Sequence, residues 1–247
     1  MKKSRIIALA VLIVTIACFF SVSASASVTF DLGNAAAPGG MADSVQILLL
    51  LTVLALAPSI LVLMTGFTRI VIVLSFVRNA LGLQQTPPNQ VLIGLALFLT
   101  FFLMSPIFKT MNDKALQPYI NGEITQSEAI TGAMAPLRDF MMRQTYISDL
   151  NMFITISGDP SPQSYSDIKT EVLIPAFVIS ELKRAFIIGF YIYIPFLIID
   201  IVVASTLMSL GMMMLPPAMV SMPFKLILFI VIDGWGLMVQ TLMASFK

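Results

Sequence analysis

The sequence predicts an all-α membrane protein in which two helical hairpins, with four hydrophobic spans in all, flank an inserted helical domain. Hydrophobic residues make up 58% of the chain and charged residues 11%, whereas soluble domains carry about 25% charged residues. Several apolar runs are long enough to cross a bilayer. Ordinary soluble composition is confined to residues 109–185. We therefore expect this stretch to lie outside the membrane, between the two hairpins.

The N-terminus has the pattern of a secretory signal peptide. A positively charged start is followed by an apolar run at residues 6–20 and by an A-x-A site that ends at Ala26, which is the order found in cleaved leaders. We expect a signal peptide at residues 1–26, with cleavage after Ala26, and a periplasmic linker at residues 27–44. An uncleaved first membrane helix and a lipoprotein signal at Cys18 stay open as alternatives.

Residues 45–108 form the first predicted hairpin. The first span should kink at Pro58 and break at Gly66, and the second should occupy residues 91–106. Residues 65–90, which include the polar turn between the two spans, contain two arginines and no acid. The linker at residues 27–44 has two aspartates and no base. Because positive charge is retained in the cytoplasm, this turn is predicted to be cytoplasmic.

Residues 109–185 are predicted to form a helical periplasmic domain. The sequence TQSE at residues 125–128 is a capping box that opens a helix. Pro136 suits the first turn of a next helix, over residues 136–155. A further helix should run through Pro175 into the third span.

Residues 186–247 form the second predicted hairpin, with spans at residues 186–210 and 224–246. The loop between them, residues 211–223, contains five methionines. Both hairpins turn at a Pro-Pro pair, Pro87-Pro88 and Pro216-Pro217, which weakly suggests a parallel internal duplication.

Several charged side chains fall within or at the mouths of the apolar spans. A charge at mid-membrane costs roughly 2.5–3.5 kcal/mol and so tends to face protein or water. The favoured hypothesis is that these residues pair with one another, within or between subunits. A proton-carrying role for one of the aspartates is an alternative. The residues concerned are Arg69, Glu181, Asp200, Lys225 and Asp233.

The composition argues against an enzyme. The chain has no histidine, and its single cysteine lies in the predicted leader, so the mature chain lacks Cys/His zinc sites, Ser-His-Asp triads and histidine haem ligands. An intramembrane aspartate protease needs a glycine-flanked aspartate motif that the surroundings of Asp233 do not supply. We expect no catalytic residue, no metal and no cofactor.

Met212, Met213 and Met214 follow a glycine and precede a Pro-Pro pair. At helical spacing three successive side chains fan over about 200°, so they do not all face one core. Filling of an irregular core by methionine is one interpretation. The other is that several copies point these side chains at a common axis and form a deformable hydrophobic seal.

Several blocks resemble the FliP family of flagellar export proteins. Residues 175–190, PAFVISELKRAFIIGF, resemble the first signature of that family, and the stretch from PFLIID at residues 195–200 to Gly211-Met212 resembles the second. The likeness extends over essentially everything after residue 45. Further blocks occur in the right order at residues 67–69, 76–82, 85–90, 224–226 and 233–235.

The resemblance implies a subunit of the type III secretion export gate at the base of the flagellum, in the bacterial inner membrane. It implies about five copies of this chain that assemble into an oligomeric helical pore for unfolded flagellar subunits. It also implies smaller membrane partners of the FliQ and FliR families and larger membrane proteins of the same apparatus. The family's methionine loop, matched by Met212–Met214, acts as a pore gasket, and Glu181 and Lys225 match charged positions that pair between neighbours.

Two other functions remain to be weighed against this one. The injectisome homologue of the same gate is the closest alternative, and the cleavable leader and external domain favour the flagellar member. A stand-alone membrane transporter or ion channel subunit is the other. A transporter should have a group of substrate-binding residues near the middle of the membrane. This chain has two acids within its spans and no group of polar residues there.

Overall fold

A computed structural model describes residues 51–52, 55, 58–158, 164, 167–212 and 214–246. Over these residues every regular element is a helix, which confirms the predicted all-α class. The predicted leader, its cleavage site after Ala26 and the linker lie outside the described residues. The helices are α1 (Pro58–Met64), α2 (Phe67–Ala80), α3 (Asn89–Met111), α4 (Gln126–Gln144), α5 (Ile147–Ser157), α6 (Thr170–Ser209), α7 (Pro217–Val231) and α8 (Gly234–Ala244).

Helix α2 lies at the centre of the core. Five of its apolar side chains are fully buried, Ile70, Val73, Leu74, Val77 and Ala80, and the first four have the i, i+3, i+4, i+7 spacing of one apolar helix face. Helices α6 and α3 pack against it. Helix α6 approaches α2 closely at Gly189, where a Cβ atom would lie 2.6 Å from the ring of Phe76.

Two helices are long and apolar enough to cross a membrane, each with a mean hydropathy of 2.4 in its most apolar window. They are α6 and the helix that begins as α3 and continues through a π-helical turn, Asn112–Leu116, to Ile120. The pairs α1–α2 and α7–α8 are bent by 78° and 66°. The described residues therefore provide two spans, or up to four if each bent pair is one span.

The predicted break at Gly66 is confirmed, since α1 ends at Met64 and α2 begins at Phe67. The fourth span was predicted over residues 224–246, and these residues belong to the bent pair α7–α8. Helix α7 starts earlier, at Pro217, and the chain bends at Asp233, whose φ of +50° lies in the left-handed region. An acid in that backbone conformation interrupts the helix despite its apolar neighbours.

Helices α3 and α6 run without interruption across positions 108/109 and 185/186, where the sequence placed domain boundaries. Helix α6 has 40 residues and is about 60 Å long at 1.5 Å per residue, roughly twice the hydrocarbon core of a bilayer. Hydropathy marks where the composition changes, but the backbone hydrogen bonds of a helix continue through such a change.

The middle region follows the predicted pattern at its start and at its end, where α6 runs through Pro175 into the third span as expected. Thr125 and Glu128 form the predicted capping box, with each side chain bonded to the other residue's backbone N–H. Pro136, however, lies inside α4 and does not open a new helix. A proline inside a helix clashes with the carbonyl of the residue four positions earlier. For Pro136 that residue is Gly132. The helix ends instead where Thr145 adopts an extended conformation.

The contact between Gly189 and Phe76 predicts a substitution effect. Gly189→Ala should lower the thermal unfolding midpoint of the detergent-purified chain, because overpacking a core costs about 1–3 kcal/mol. Gly94→Ala on α3 is the control, since nothing lies within 4 Å of a Cβ atom there. Both variants gain the same helix propensity. Equal midpoints for the two variants would show that α2 and α6 do not pack as closely as described.

Candidate functional site: the methionine loop and the buried charges

The methionine loop joins α6 to α7 and exposes its apolar side chains. Met214 is 97% exposed and Met212 is 44% exposed, and Met213 lies outside the described residues. Pro217 opens α7, because its fixed φ suits the first helical position. The loop is therefore shorter than predicted, and Met219 and Met222 belong to α7. Exposed apolar residues at the tip of this hairpin also include Met208, Leu210, Leu215 and Met219.

The entry into the loop is fixed by backbone hydrogen bonds. Gly211 has a φ of +75°, the left-handed conformation that commonly ends a helix. The Gly211 N–H donates to Met208 O at 3.0 Å, and the Met212 N–H donates to Leu207 O at 3.0 Å, which is the Schellman pattern. Met212 thus has a defined position at the end of α6.

Asp200 and Lys225 form an ion pair between α6 and α7. Lys225 Nζ lies 2.6 Å from Asp200 Oδ2, and the Ser221 hydroxyl donates to Asp200 Oδ1 at 2.5 Å. The Lys225 side chain is 5% exposed and that of Asp200 is 28% exposed. Both charges are therefore neutralised within one chain. The pair connects the two helices that carry the methionine loop.

Arg69 and Glu181 form a second ion pair, between α2 and α6. Both side chains are fully buried. The pair is bidentate: Nε of Arg69 donates to Oε2 of Glu181 at 2.9 Å, and Nη2 donates to Oε1. This fork-to-fork geometry is the strongest arrangement for a guanidinium and a carboxylate.

The remaining donors of Arg69 connect two further segments to this pair. Nη2 donates to Gln144 Oε1, at the end of α4, at 2.9 Å. Nη1 donates to the carbonyl and hydroxyl oxygens of Ser245, just beyond α8, at 2.9 and 3.0 Å. The Arg69 guanidinium also lies 3.8 Å from the ring centre of Phe246. One arginine thus joins α2, α4, α6 and the segment after α8.

A third cluster fixes α5 against α6. Asp149 accepts hydrogen bonds from Lys183 and, at 2.8 Å, from the hydroxyl of Ser180. Burial raises the pKa of the Asp149 carboxyl, but the bonds from Lys183 and Ser180 outweigh it and hold this pKa below its usual range. The cluster was not predicted, because Asp149 and Ser180 gave no sequence signal that distinguished them from other polar residues.

The five charged residues singled out in the sequence do not form one site. Glu181 and Lys225, expected to pair between neighbouring chains, each have a partner within their own chain, Arg69 and Asp200 respectively. Asp233 forms no ion pair among the described residues. Its carboxylate lies over the start of α8, where a Cβ atom on Gly236 would be 2.4 Å from Oδ2.

Two supporting residues were not predicted from the sequence. Ser221 lies four residues before Lys225 on one face of α7, and this spacing is a signal that pattern analysis can detect. Gln144 carried no comparable signal, since its role depends on where α4 ends. Within the described residues, no group of three or more acidic, histidine or cysteine side chains is placed to hold a metal ion.

The Arg69–Glu181 pair predicts a non-additive pattern of stability. Arg69→Met leaves a buried, unpaired carboxylate and should destabilise the chain by about 3–5 kcal/mol. The double variant Arg69→Met/Glu181→Met should recover much of that loss, because no charge is left unpaired. The measurement is the thermal unfolding midpoint in detergent. A double variant less stable than both single variants would contradict the pairing.

Comparison with known proteins places the chain in a family. The sequence model of the FliP family matches residues 50–242. The flagellar biosynthetic protein FliP of Bacillus subtilis (strain 168) is 56% identical over 209 residues, covering 85% of this chain and 95% of that protein. The protein of the same name from Pectobacterium carotovorum subsp. carotovorum is 54% identical over 203 residues, covering 82% and 79%. The protein of that name from Aquifex aeolicus (strain VF5) is 48% identical over 211 residues, covering 85% and 88%. The chain belongs to the FliP family.

Proposed function

We propose that this chain is a pore-forming subunit of the flagellar type III protein export gate in the bacterial inner membrane. In this role several copies, together with smaller proteins of the FliQ and FliR families and larger membrane proteins of the apparatus, enclose a path for unfolded flagellar subunits. The relatives described above are flagellar biosynthetic proteins by name, which favours the flagellar over the injectisome gate. In this arrangement residues 109–185 face the periplasm.

The observation that carries the proposal is the apolar tip of the α6–α7 hairpin. Met212 and Met214 are exposed there, although burying each side chain would be favourable by about 1.5–3 kcal/mol. A single chain leaves them without a partner. Copies arranged around an axis bring these side chains together and form a hydrophobic constriction that excludes water and ions.

The flexibility of methionine suits a seal of this kind. Its side chain is unbranched, has three rotatable bonds and adapts to irregular surfaces. A constriction lined by such side chains closes around itself and also yields to an unfolded chain of changing cross-section. In this mechanism the Met212–Met214 segment moves, while the buried ion pairs keep the supporting helices in place.

The gasket hypothesis predicts a leak. Replacing Met212, Met213 and Met214 together by Gly should raise the ion conductance of membranes that contain the closed gate, because the apolar side chains that exclude water are removed. Replacing the same three residues by Leu is the control, since Leu keeps an apolar surface of similar volume. An ion leak in the Gly variant no larger than in the Leu variant would rule out the seal.

The Asp200–Lys225 pair predicts a charge-swap rescue. Asp200→Lys should weaken the α6–α7 hairpin by about 3–5 kcal/mol, because it places two cations together in a largely buried position. The swap Asp200→Lys/Lys225→Asp should restore much of the yield of folded protein. If a proton relay were the main role of Asp200, Asp200→Asn would abolish export and leave the yield and the complex intact. That result would contradict the structural role.

A further inference from the structure

The outer surface at the α7–α8 break combines an acid with exposed apolar side chains. Asp233 is exposed, and next to it Ile230 and Val231 are 74% and 77% exposed. A carboxylate in an apolar span is too costly to face lipid and must face protein or water. An exposed apolar patch marks a contact with protein or membrane, and the charge within this one favours protein. The surface therefore fits a partner that offers a cation beside apolar groups.

Arg78 is a cation that has no carboxylate partner among the described residues. It lies in the last turn of α2 and forms no ion pair among the described residues. One of its Nη atoms donates to Asn89 Oδ1 and to Pro87 O, and its buried Nε has no hydrogen-bond partner. Val91, two residues beyond Asn89, is exposed. Arg78 thus carries a positive charge without a carboxylate partner, beside apolar surface.

Arg78 and Asp233 each lie next in sequence to residues that line the same cavity. Val77, which precedes Arg78, and Ile232 and Gly234, which flank Asp233, all line one apolar cavity of about 190 Å³. Other cations lie elsewhere: Arg184 donates to Gln144 at the far end of α8, where Arg69 holds Ser245. Among the described residues, Arg78 is therefore a cation without a carboxylate partner that lies next to this cavity, as Asp233 does.

We infer that Asp233 of one chain pairs with Arg78 of a neighbouring copy, and that the surface around the α7–α8 break is an interface between copies. The inference rests on the proposed homo-oligomer and names a contact within it. Arg78 and Asp233 do not meet in one chain, so their complementarity is satisfied head to tail, with one residue from each copy. Such a heterologous contact generates rings or helices of subunits.

Cysteine cross-linking tests this contact directly. In full-length chain with Cys18→Ala, membranes carrying the double variant Arg78→Cys/Asp233→Cys should give a ladder of disulfide-linked dimers and larger species under mild oxidation. The matched control is Asn79→Cys/Asp233→Cys, because Asn79 is exposed but points about 100° away around α2. The control pair and each single variant should give no ladder. A disulfide confined to one chain, or a ladder of equal intensity from the control pair, would overturn the inference.

Charge reversal provides a second test that does not depend on cysteine chemistry. Arg78→Asp and Asp233→Arg should each reduce the recovered oligomer about tenfold on native gels, and the double variant should restore it to within about threefold of wild type. If the wild-type chain forms an oligomer but neither test behaves as expected, this contact is wrong and the proposed function stands. If the wild-type chain forms no oligomer, the proposed homo-oligomeric pore fails together with the contact.

Discussion

The buried ion pair between Arg69 and Glu181 is the interaction on which the rest of the structure depends. A charge of either sign at this depth is tolerated only if its partner and its remaining hydrogen bonds are supplied. Arg69 obtains them from α6, from the end of α4 and from Ser245 beyond α8. Four segments that are distant in sequence must therefore meet at one point. A hydrophobic core alone tolerates several packings, whereas this guanidinium needs hydrogen-bond acceptors in defined positions.

The internal pairing of charges leaves an outer surface that is mostly apolar. Only 11% of the most apolar window of α6 is buried, and the α6–α7 hairpin ends in exposed methionines. Such a surface requires lipid, other chains or both. Helix α6 is about twice as long as a bilayer core is thick. These features fit the proposed role as one subunit of a larger assembly.

The sequence predicted what depends on local pattern. The all-α class, the break at Gly66 and the capping box at Thr125 follow from composition and from residues close in sequence. The buried position of α2 and the partner of Glu181 did not follow, because the contact with Arg69 joins residues 112 positions apart. The bend at Asp233 was missed because apolar periodicity continues through it. Residues 224–246 have the composition of one span, and only the backbone at Asp233 divides them.

The central claim is that this chain is one of several copies that share a pore. Native mass spectrometry of the complex, purified from membranes in mild detergent, tests it most directly, because it counts the copies and the other proteins bound to them. The account predicts one dominant species that contains several copies of this chain together with smaller membrane proteins. A single copy of the chain at every protein concentration, with or without a bound partner, would contradict it.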